Sequence, residues 1–458
     1  MSEEPGLDVA GRRVVVVGLG ASGRAAVRVL ADLGAVVRVS EAKPEEEIGE
    51  AIAEAEAAGA DVRAGGHRPD HLEGASLLVA SPGVREQAPI LSWAREQRLP
   101  IWSELEIGAR LLRCPVVAIT GTNGKTTTTE WVAATMRADG LGAIACGNVG
   151  YPVSLAARED HDALAVEVSS FQLRFHESFH PQVSVLLNLA PDHLDWHRDV
   201  AAYGAAKRQI YVRQAADDVH VGNRDDPHAA ALSRGAPCRR MWFTLGEPGP
   251  GEVGYVGQEL IARLGSDVSL GRPPFSGASL RADVAAGAAA ALAFGIRPES
   301  VGKALEGFTP PPHRGEVVAE IRGVRFIDDS KATNPHAALA AIEGMDEVVL
   351  IAGGRAKSLD LSPLIAATPR LTALVTIGEA AEDLAGMFEG RVPVYRASSI
   401  EEAVSRAFDA ADNRGVVLLA PACSSHDMFR DYAERGDRFS AAARRLADAT
   451  TKTGATSG

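Results

Sequence analysis

The stretch that most constrains the fold of this chain is the segment Thr-Gly-Thr-Asn-Gly-Lys-Thr-Thr at residues 120–127. An apolar run at residues 115–119 precedes it and predicts a buried strand, and residues 126–138 predict a helix that ends near Gly140. Strand, glycine-containing turn and helix is the context of a phosphate-binding loop, in which backbone N–H groups at a helix N-terminus surround phosphate oxygens. The segment therefore predicts an α/β fold with an anion site at this turn.

The loop departs from the common pattern G-x-x-x-x-G-K-[ST] at one position. That pattern requires a glycine where this chain has Ile119. The alternative is a turn that only connects strand and helix, with a lysine that extends into solvent. Such a turn would not require two glycines, Lys125 and Thr126 at this spacing. We therefore predict a shortened phosphate loop, in which Lys125 supplies a positive charge and the hydroxyl of Thr126 can bind Mg²⁺.

Length, charge and cysteine content limit the classes of protein that this chain can be. With 458 residues it is long enough for about three domains of ~150 residues each. A net charge of −13 and the lack of clustered Lys and Arg argue against nucleic-acid binding, so an anionic ligand must be held locally. Four cysteines without C-x-x-C spacing predict a reducing compartment and no structural zinc. Because neither a signal peptide nor a membrane span is evident, we expect a cytoplasmic protein without membrane insertion.

A second glycine motif, Gly-Leu-Gly-Ala-Ser-Gly at residues 18–23, lies between a predicted strand at 13–17 and a predicted helix at 24–33. The next strand, at 36–40, ends at Glu41, close to the ~20-residue spacing of a ribose-binding acid. These glycines suit a dinucleotide, but equally any ligand whose pyrophosphate lies at the helix N-terminus, including a nucleotide sugar. A tight turn that packs helix on strand is the remaining alternative. A later strand at 76–80 ends at the turn Ser81-Pro82-Gly83.

Polar residues follow the apolar strands of the central segment. The predicted strand at 163–168 contains Glu167, a buried carboxylate that is costly unless it is paired or binds a metal. Metal binding beside a nucleotide is favoured over a structural salt bridge. The strand at 183–189 leads to His193 and His197, whose spacing would suit zinc on a helix. Because no H-E-x-x-H motif is present, we assign only His193 to the site and predict His197 to be at the surface.

The rest of the chain predicts a third α/β unit after a stiff Pro-Pro-Pro linker at 310–312. The composition of the helix at 201–211 makes Lys207 an ordinary solvated lysine, and residues 215–280 predict an irregular edge with little pattern. A helix is predicted at 282–294, and strands at 324–328, 347–351, 371–377 and 416–420. We therefore predict three domains, at residues 1–108, 109–310 and 311–458.

Seven motifs are distributed along the chain: residues 121–127, Glu167 with Ser-Ser-Phe-Gln-Leu at 169–173, residues 188–193, Lys207, His313-Arg314, residues 329–334 and the block 421–439. Together they resemble the Mur ligases of peptidoglycan synthesis. The resemblance implies three domains with mainly parallel sheets and flanking helices: Rossmann-like, phosphate-loop ATPase and Rossmann-like. It implies an ATP-dependent ligase, expected to be a monomer, that adds D-glutamate to UDP-N-acetylmuramoyl-L-alanine through an acyl phosphate.

The resemblance also implies roles for individual residues. The first domain would bind the UDP-sugar, the central domain ATP, and the C-terminal domain the amino acid. UDP-sugar binding is implied for Gly20, Ala21, Ser22, Glu41, Gly83 and Asn148. ATP binding is implied for Gly121, Thr122, Asn123, Gly124, Lys125, Thr126, Thr127, His313, Arg314 and Asp329. D-Glutamate binding is implied for Thr333, Lys357, Ser425 and Tyr432.

For catalysis, the resemblance implies Lys125, Glu167, His193 and Lys207. Two Mg²⁺ ions would be held by Thr126, Glu167, His193 and Lys207, the last carrying a carbamate derived from CO₂. The chain departs from the family where asparagines near adenine precede the Ala-rich helix, because Ser-Leu-Arg-Ala-Asp stands at 279–283.

Two other classes of protein remain as alternatives. A nicotinamide oxidoreductase would use the first glycine motif, but it leaves the loop at 120–127 unexplained. A regulatory nucleotide switch without turnover would have no use for the loops at 329–334 and 353–357.

Overall fold

The computed structural model describes residues 7–148, 150–194, 196–275 and 277–455. The ends of the first and last predicted domains, residues 1–6 and 456–458, lie outside these ranges. The chain divides into two compact units. The first comprises residues 1–189, 196–274 and 282–308, and the second residues 190–195, 275–281 and 309–458. Within the described ranges, no helix is both long and apolar enough to cross a bilayer.

The first sheet has five parallel strands in the order β3-β2-β1-β4-β5. Its elements are β1 (Arg13–Val17), α1 (Ala21–Asp32), β2 (Val36–Ser40), α2 (Glu45–Ala57), β3 (Asp61–Arg63), β4 (Leu77–Ala80), α3 (Pro89–Glu96) and β5 (Ile101–Ser103). A 3₁₀ turn at Pro69–Leu72 precedes β4. The carboxyl ends of β1, β2 and β4 meet at one edge, because parallel strands all point the same way. This edge carries the first glycine motif, Glu41 and Gly83.

The second sheet has nine strands in the order β14-β13-β12-β11-β10-β9-β6-β8-β7. Its first elements are α4 (Glu104–Leu111), β6 (Val116–Thr120), α5 (Lys125–Ala138), β7 (Ala143–Gly147), α6 (Val153–Ala156), β8 (Ala163–Glu167), α7 (Ser170–Leu173), β9 (Val183–Leu186) and α8 (Val200–Arg208). A 3₁₀ turn, Gln209–Tyr211, follows α8. They continue with β10 (Val219–Asn223), α9 (Pro227–Ser233), β11 (Arg239–Phe243), β12 (Glu252–Val256), β13 (Glu259–Arg263), β14 (Asp267–Gly271), α10 (Ala278–Phe294) and α11 (Pro298–Gly307).

The prediction of an irregular edge at 215–280 was wrong. Five strands, β10 to β14, lie there and form more than half of the second sheet. β10, β11 and β12 continue its parallel part, whereas β12, β13 and β14 pair antiparallel. The strands β13 and β14 are only five residues long and carry charged residues at their ends, Glu259 and Arg263 in β13 and Asp267 in β14, which hides them from a search for apolar runs.

The third sheet has six strands in the order β15-β16-β20-β17-β18-β19, all parallel except β15. Its elements are β15 (Glu316–Ile321), β16 (Val324–Asp328), α12 (Pro335–Ile342), β17 (Val348–Gly353), β18 (Leu371–Ile377), α13 (Ala381–Phe388), β19 (Val394–Arg396), α14 (Ile400–Ala411), β20 (Val416–Leu419) and α15 (Tyr432–Ala455). A 3₁₀ segment, Ser362–Arg370, precedes β18. Separate hydrophobic cores cover its two faces. Three mainly parallel sheets with flanking helices confirm the predicted fold class; the domain boundaries stay a prediction.

Candidate active site

The phosphate loop connects β6, the third strand from one end of the nine-stranded sheet, to α5. Ile119 pairs with Glu167 on one side and Val185 on the other, so the position that the common pattern gives to glycine is still inside the strand. Both glycines of the loop are needed for space. A Cβ on Gly121 would lie 2.8 Å from the Leu187 Cβ, and one on Gly124, whose φ is +86°, would lie 2.0 Å from an Asp283 carboxylate oxygen. The phosphate loop therefore begins after the end of β6, and it has glycine at both positions where a side chain would collide.

Asn188 holds this loop in shape. Its side-chain oxygen accepts a hydrogen bond from the Asn123 N–H at 2.8 Å, and its Nδ2 donates to the Asn123 carbonyl at 3.2 Å. Its own carbonyl accepts from the Thr122 N–H at 3.1 Å. Sequence reasoning assigned no role to Asn188, although an asparagine just after an apolar strand and before a loop was a visible signal.

Two lysines lie against the same carbonyl group. The Lys125 Nζ donates to the carbonyls of Gly121 and Thr122, at 3.1 and 3.0 Å. The Lys207 Nζ donates to the Gly121 carbonyl at 2.6 Å and lies 4.4 Å from the centre of the Tyr203 ring. Lys207 is only 1% exposed, so its interpretation as a solvated lysine was wrong. The structure thus brings together three predicted residues: Gly121, Lys125 and Lys207.

Glu167 ends β8 with a carboxylate that is only partly satisfied. Its Oε1 accepts from the Asn148 Nδ2 at 3.1 Å, and its backbone carbonyl accepts from the Asn148 N–H at 2.9 Å. Its Oε2 is buried and has no hydrogen-bond partner among the described residues, and no salt bridge within them involves Glu167. A buried carboxylate oxygen without a protein partner is costly. This oxygen fits a cation bound beside the phosphate loop.

The neighbouring predicted residues of α5 differ in exposure. Thr126 is half-buried on the first turn, and Thr127 is fully buried. In the described part of the chain, no three His, Cys, Asp or Glu side chains form a cluster that could hold a metal. A cation here would therefore depend on phosphate oxygens as additional ligands.

The first glycine motif is built to leave room above its helix. Gly18 has a φ of +88°, and a Cβ on Gly23 would lie 1.9 Å from the Gly18 carbonyl oxygen. A Cβ on Gly20, by contrast, would have nothing within 4 Å, and Gly83 also faces open space. Ala21 and Ser22 form the first turn of α1, where N–H groups have no helical acceptor. The middle glycine therefore leaves the helix N-terminus open to a ligand.

Glu41 is engaged with the backbone of this motif. Its Oε2 accepts from the Leu19 N–H at 2.7 Å, and its Oε1 from the Lys43 N–H at 3.0 Å. Next to it, the buried Ser40 hydroxyl contacts the Nδ1 atoms of His67 and His71, at 2.9 and 2.7 Å. Burial lowers the pKa of both histidines, which favours neutral rings. Sequence reasoning missed this histidine pair, because neither ring lies in a recognisable motif.

The second unit contains His193. His193 has a φ of +54° and lies outside any helix, and its N–H donates to the Asp192 Oδ1 at 2.8 Å. The other oxygen of Asp192 accepts from the Asn334 Nδ2 at 3.2 Å, while the Asn334 Oδ1 caps α12 by accepting from the Ala337 N–H. The two loops 190–194 and 329–334 are thereby joined.

His197, in the first unit, is not at the surface as predicted. It is 3% exposed, and its Nε2 lies 2.9 Å from the Ser170 hydroxyl. Its ring is stacked on Phe171. The polar partner that allows this burial lies 27 residues away along the chain and cannot be seen in a local pattern.

A buried ionic network supports the loop after β16. The His313 Nδ1 lies 2.7 Å from the Asp328 Oδ2, and this hydrogen bond raises the pKa of His313 despite the opposing effect of burial. Arg435 is fully buried and donates to the Ser330 hydroxyl and carbonyl and to the Cys423 carbonyl. Burial lowers its pKa to about 10. The sequence analysis included Arg435 in the block 421–439 and Asp328 in a predicted strand, but it gave neither residue a role, because their partners are distant in the sequence.

The remaining predicted residues lie in loops at the carboxyl ends of the third sheet. Asp329 donates its N–H to the Leu419 carbonyl, and the Tyr432 carbonyl accepts from the Ser330 hydroxyl where α15 begins. Arg314 is half-buried, and its Nε has no hydrogen-bond partner among the described residues. Thr333 is half-buried in the loop before α12. Lys357, with a φ of +52°, and the buried Ser425 flank a pair of hydrogen bonds between Arg355 and Ser424.

Comparison with known proteins identifies the family. Three family models match in succession: the MurD-like N-terminal domain of Mur ligases at residues 12–103, the Mur ligase middle domain at 119–248, and the glutamate ligase domain of Mur ligases at 313–423. Among solved structures, MurF ligase from Thermotoga maritima in complex with ADP has a TM-score of 0.59 and 17% identity, over 96% of this chain and 97% of that one. The UDP-N-acetylmuramate-alanine ligase MurC of Thermotoga maritima has a TM-score of 0.57 and 19% identity, over 93% and 98%. These structures share the fold.

Relatives of higher identity carry one name. A UDP-N-acetylmuramoylalanine--D-glutamate ligase from Frankia casuarinae is 42% identical over 95% of this chain and 94% of the relative. Proteins of the same name from Desulfosudis oleivorans and Streptomyces coelicolor are 39% and 38% identical, over 95% and 96% of this chain and 96% and 99% of theirs. With three successive domains matched and such relatives along nearly its whole length, the chain belongs to the Mur ligase family.

Proposed function

We propose that this chain is an ATP-dependent ligase that joins D-glutamate to UDP-N-acetylmuramoyl-L-alanine in peptidoglycan precursor synthesis. The observation that carries the proposal is the full-length similarity, at about 40% identity, to relatives named for this reaction. The phosphate loop, its two lysines and the unsatisfied carboxylate of Glu167 support it, because they supply what an ATP-consuming ligase needs.

The chemistry requires activation of a carboxylate. The carboxylate of the L-alanyl group attacks the γ-phosphate of ATP, ADP leaves, and an acyl phosphate forms. The amine of D-glutamate then attacks the acyl carbon, giving a tetrahedral intermediate that expels inorganic phosphate and loses a proton to leave the amide. Both steps concentrate negative charge, so the protein acts mainly by positioning and by charge neutralisation.

We assign the ATP phosphates to the loop of residues 121–124 and the first turn of α5. Backbone N–H groups of the loop would donate to phosphate oxygens, and Lys125 would leave its carbonyl partners to reach the β- and γ-phosphates. Asn188 keeps the loop in its binding shape while this happens.

Two Mg²⁺ ions are proposed, held by Thr126, Glu167, His193 and Lys207. Bound Mg²⁺ would neutralise the charge that develops on the transferred phosphoryl group. Lys207 is proposed to carry a carbamate, which would make it an anionic ligand. Its position supports this, because its side chain is buried and its Nζ lies against the Gly121 carbonyl of the phosphate loop, where the metal ions are proposed.

The first domain is proposed to bind UDP-N-acetylmuramoyl-L-alanine. Open space at Gly20 and Gly83 supports a pyrophosphate at the N-terminus of α1, near Ala21 and Ser22. Glu41 would act at least partly by fixing the glycine turn through the Leu19 N–H. Asn148 would extend the site, since it already orients Glu167.

The second unit is proposed to supply the remaining substrate contacts. Arg314 and Asp329 would contact ATP, and the unsatisfied Nε of Arg314 supports an anionic partner. Thr333, Lys357, Ser425 and Tyr432 would receive D-glutamate, whose carboxylates suit the amine of Lys357. We further propose that the protein is cytoplasmic, because its substrates are charged and soluble, and that it acts as a monomer.

An assay of ADP formation tests the function. Purified protein is given Mg²⁺, ATP, UDP-N-acetylmuramoyl-L-alanine and one amino acid from a set that includes D-glutamate, L-glutamate, D-aspartate and L-lysine. We expect ADP and phosphate only when the UDP-sugar and D-glutamate are both present. ADP release with a different amino acid would reassign the substrate, and nucleotide turnover without any UDP-sugar would contradict the proposal.

A further inference from the structure

A cleft of about 610 Å³ lies in the first unit, between the first and second sheets. One wall comes from the loop before α3 and from α3 itself, and the other from Arg174 just after α7, from the segment before α8 and from α8. Its lining residues are Glu86, Gln87, Ser92, Arg95, Arg174, His197, Arg198, Ala202 and Ala205. Lys207, which is also on α8, does not line the cleft, and its Nζ donates to the Gly121 carbonyl instead. The cleft is therefore separate from the phosphate loop.

The cleft is locally positive in a chain of net charge −13. Three arginines face it, and Glu86 is its single acidic lining residue among those the structure describes. The Arg174 guanidinium donates to Glu86 through Nε at 3.3 Å and Nη2 at 2.5 Å, while Arg95 lies 3.6 Å from the same carboxylate. Burial alone would raise the pKa of Glu86, but Arg174, Arg95 and His197 hold it below its usual range. Glu86 is thus a charged carboxylate that is held by the guanidinium groups of Arg174 and Arg95.

The wall of the cleft continues into the centre of the first unit. His197 contacts Ser170 at the start of α7, just after the strand that Glu167 ends, and its ring centre lies 5.1 Å from that of Tyr203. The Lys207 amine lies 4.4 Å from the Tyr203 ring. An occupant of the cleft would therefore contact a side chain, His197, that packs against neighbours of residues proposed for catalysis.

We propose that this cleft is a second anion site, which binds a small molecule carrying phosphate or carboxylate groups through Arg95 and Arg174 in competition with Glu86. The chemistry requires at least two anionic groups, because a single one would only replace the carboxylate already present. Binding at this site does not depend on the proposed function; any effect on turnover through His197 does.

The test is titration with inorganic diphosphate in Mg²⁺-free buffer, followed by calorimetry. All variants carry Lys125→Ala, so that the phosphate loop contributes little to the signal. Arg174→Gln should weaken diphosphate binding about tenfold or more, because it removes a bidentate donor. Glu86→Gln should strengthen it, because the competing carboxylate is gone. These opposite signs separate the proposal from a folding defect, which would weaken binding in both variants.

A matched control is Arg396→Gln. Arg396 forms a similar two-bond pair with Glu382 on the surface of the third sheet, far along the chain from the cleft. It should bind diphosphate like its Lys125→Ala parent. Equal weakening in Arg174→Gln and Arg396→Gln would mean a general charge effect and would overturn the proposal, as would unchanged binding in both cleft variants.

Two further measurements test whether diphosphate binds in the cleft and whether the cleft belongs to the UDP-sugar site. The imidazole resonance of His197, assigned from its absence in His197→Gln, should shift when diphosphate is added; no shift would overturn the location. The same shift is then measured with saturating UDP-N-acetylmuramoyl-L-alanine, which fills the proposed pyrophosphate site at α1 and should leave the His197 shift unchanged. If the UDP-sugar abolishes the shift, the cleft belongs to the substrate site and a separate anion site is refuted.

Discussion

Replacing Asn188 with alanine tests whether the phosphate loop must be held in shape to bind ATP. The side chain of Asn188 makes both of its hydrogen bonds to Asn123, in the middle of the loop. The third bond, from the Thr122 N–H to the Asn188 carbonyl, belongs to the backbone and survives the substitution. The change therefore loosens one residue of the loop and leaves its attachment to the end of β9 intact.

The expected magnitude follows from the two lost bonds. A typical hydrogen bond contributes about 0.5–1.5 kcal/mol net, so two contribute about 2 kcal/mol to the ordered loop. If the loop has to be ordered only when nucleotide is bound, the loss of about 2 kcal/mol weakens ATP binding. The affinity for ATP is then about thirty-fold lower. Binding of the UDP-sugar should stay near the parental value, because the first glycine motif makes no use of Asn188.

The measurement is the dissociation constant of a fluorescent ATP analogue, together with KM for ATP. Asn223→Ala is the matched control: the Asn223 Nδ2 donates to the Leu187 carbonyl at 2.7 Å, and its Oδ1 accepts from the Asp225 N–H at 2.8 Å. It loses two hydrogen bonds beside the same strand without touching the loop. An ATP affinity that is equally reduced in both variants, or parental in Asn188→Ala, would refute the reasoning.

Four further predictions concern single residues. Lys125→Ala should abolish turnover and leave UDP-sugar binding nearly intact in calorimetry; parallel loss of both would contradict the separate sites. Glu167→Gln should lose activity and recover part of it at high Mg²⁺, and an unchanged Mg²⁺ dependence would argue for a purely structural carboxylate. Lys207→Ala should be inactive but partly rescued by acetate or formate, whereas Lys207→Arg should not be, and near-parental rates in both would remove Lys207 from the site. The free energy of unfolding should fall as the pH rises above about 6.5, because the raised pKa of His313 stabilises the folded state only while the ring is protonated; Asp328→Asn should flatten this slope in denaturation measured across pH.

Several strands with mostly buried residues were predictable from the sequence. β1, β2, β16 and β18 were placed with the bounds that the structure gives, because each run is rich in apolar residues and is followed at once by a glycine or an acidic residue. The carboxyl ends of such strands carry most of the candidate site. The loops at the site were therefore predictable in position, although not in their contacts.

Strand β10 was missed for a physical reason. β10 has His220 near its centre, fully buried, with Ser184 and Ser233 on its two ring nitrogens at 2.7 and 2.9 Å. Burial lowers the pKa of His220 to about 3, so the ring stays neutral and acts as a hydrogen-bonding core residue. Both partners come from other elements, and only the assembled sheet shows that a histidine can be placed there.

The position of the end of β6 explains why the phosphate loop lacks the first glycine of the common pattern. A glycine is required where a Cβ would collide or where φ is positive, and both conditions hold at Gly124, while the first holds at Gly121. Neither applies to Ile119, which is fully buried between two neighbouring strands and can carry a large side chain. The strand therefore continues one residue further to Thr120, and the four residues that follow reach the start of α5 at Lys125. The loss of the first glycine of the common pattern thus follows from where β6 ends, and it removes none of the backbone N–H groups that a phosphate would use.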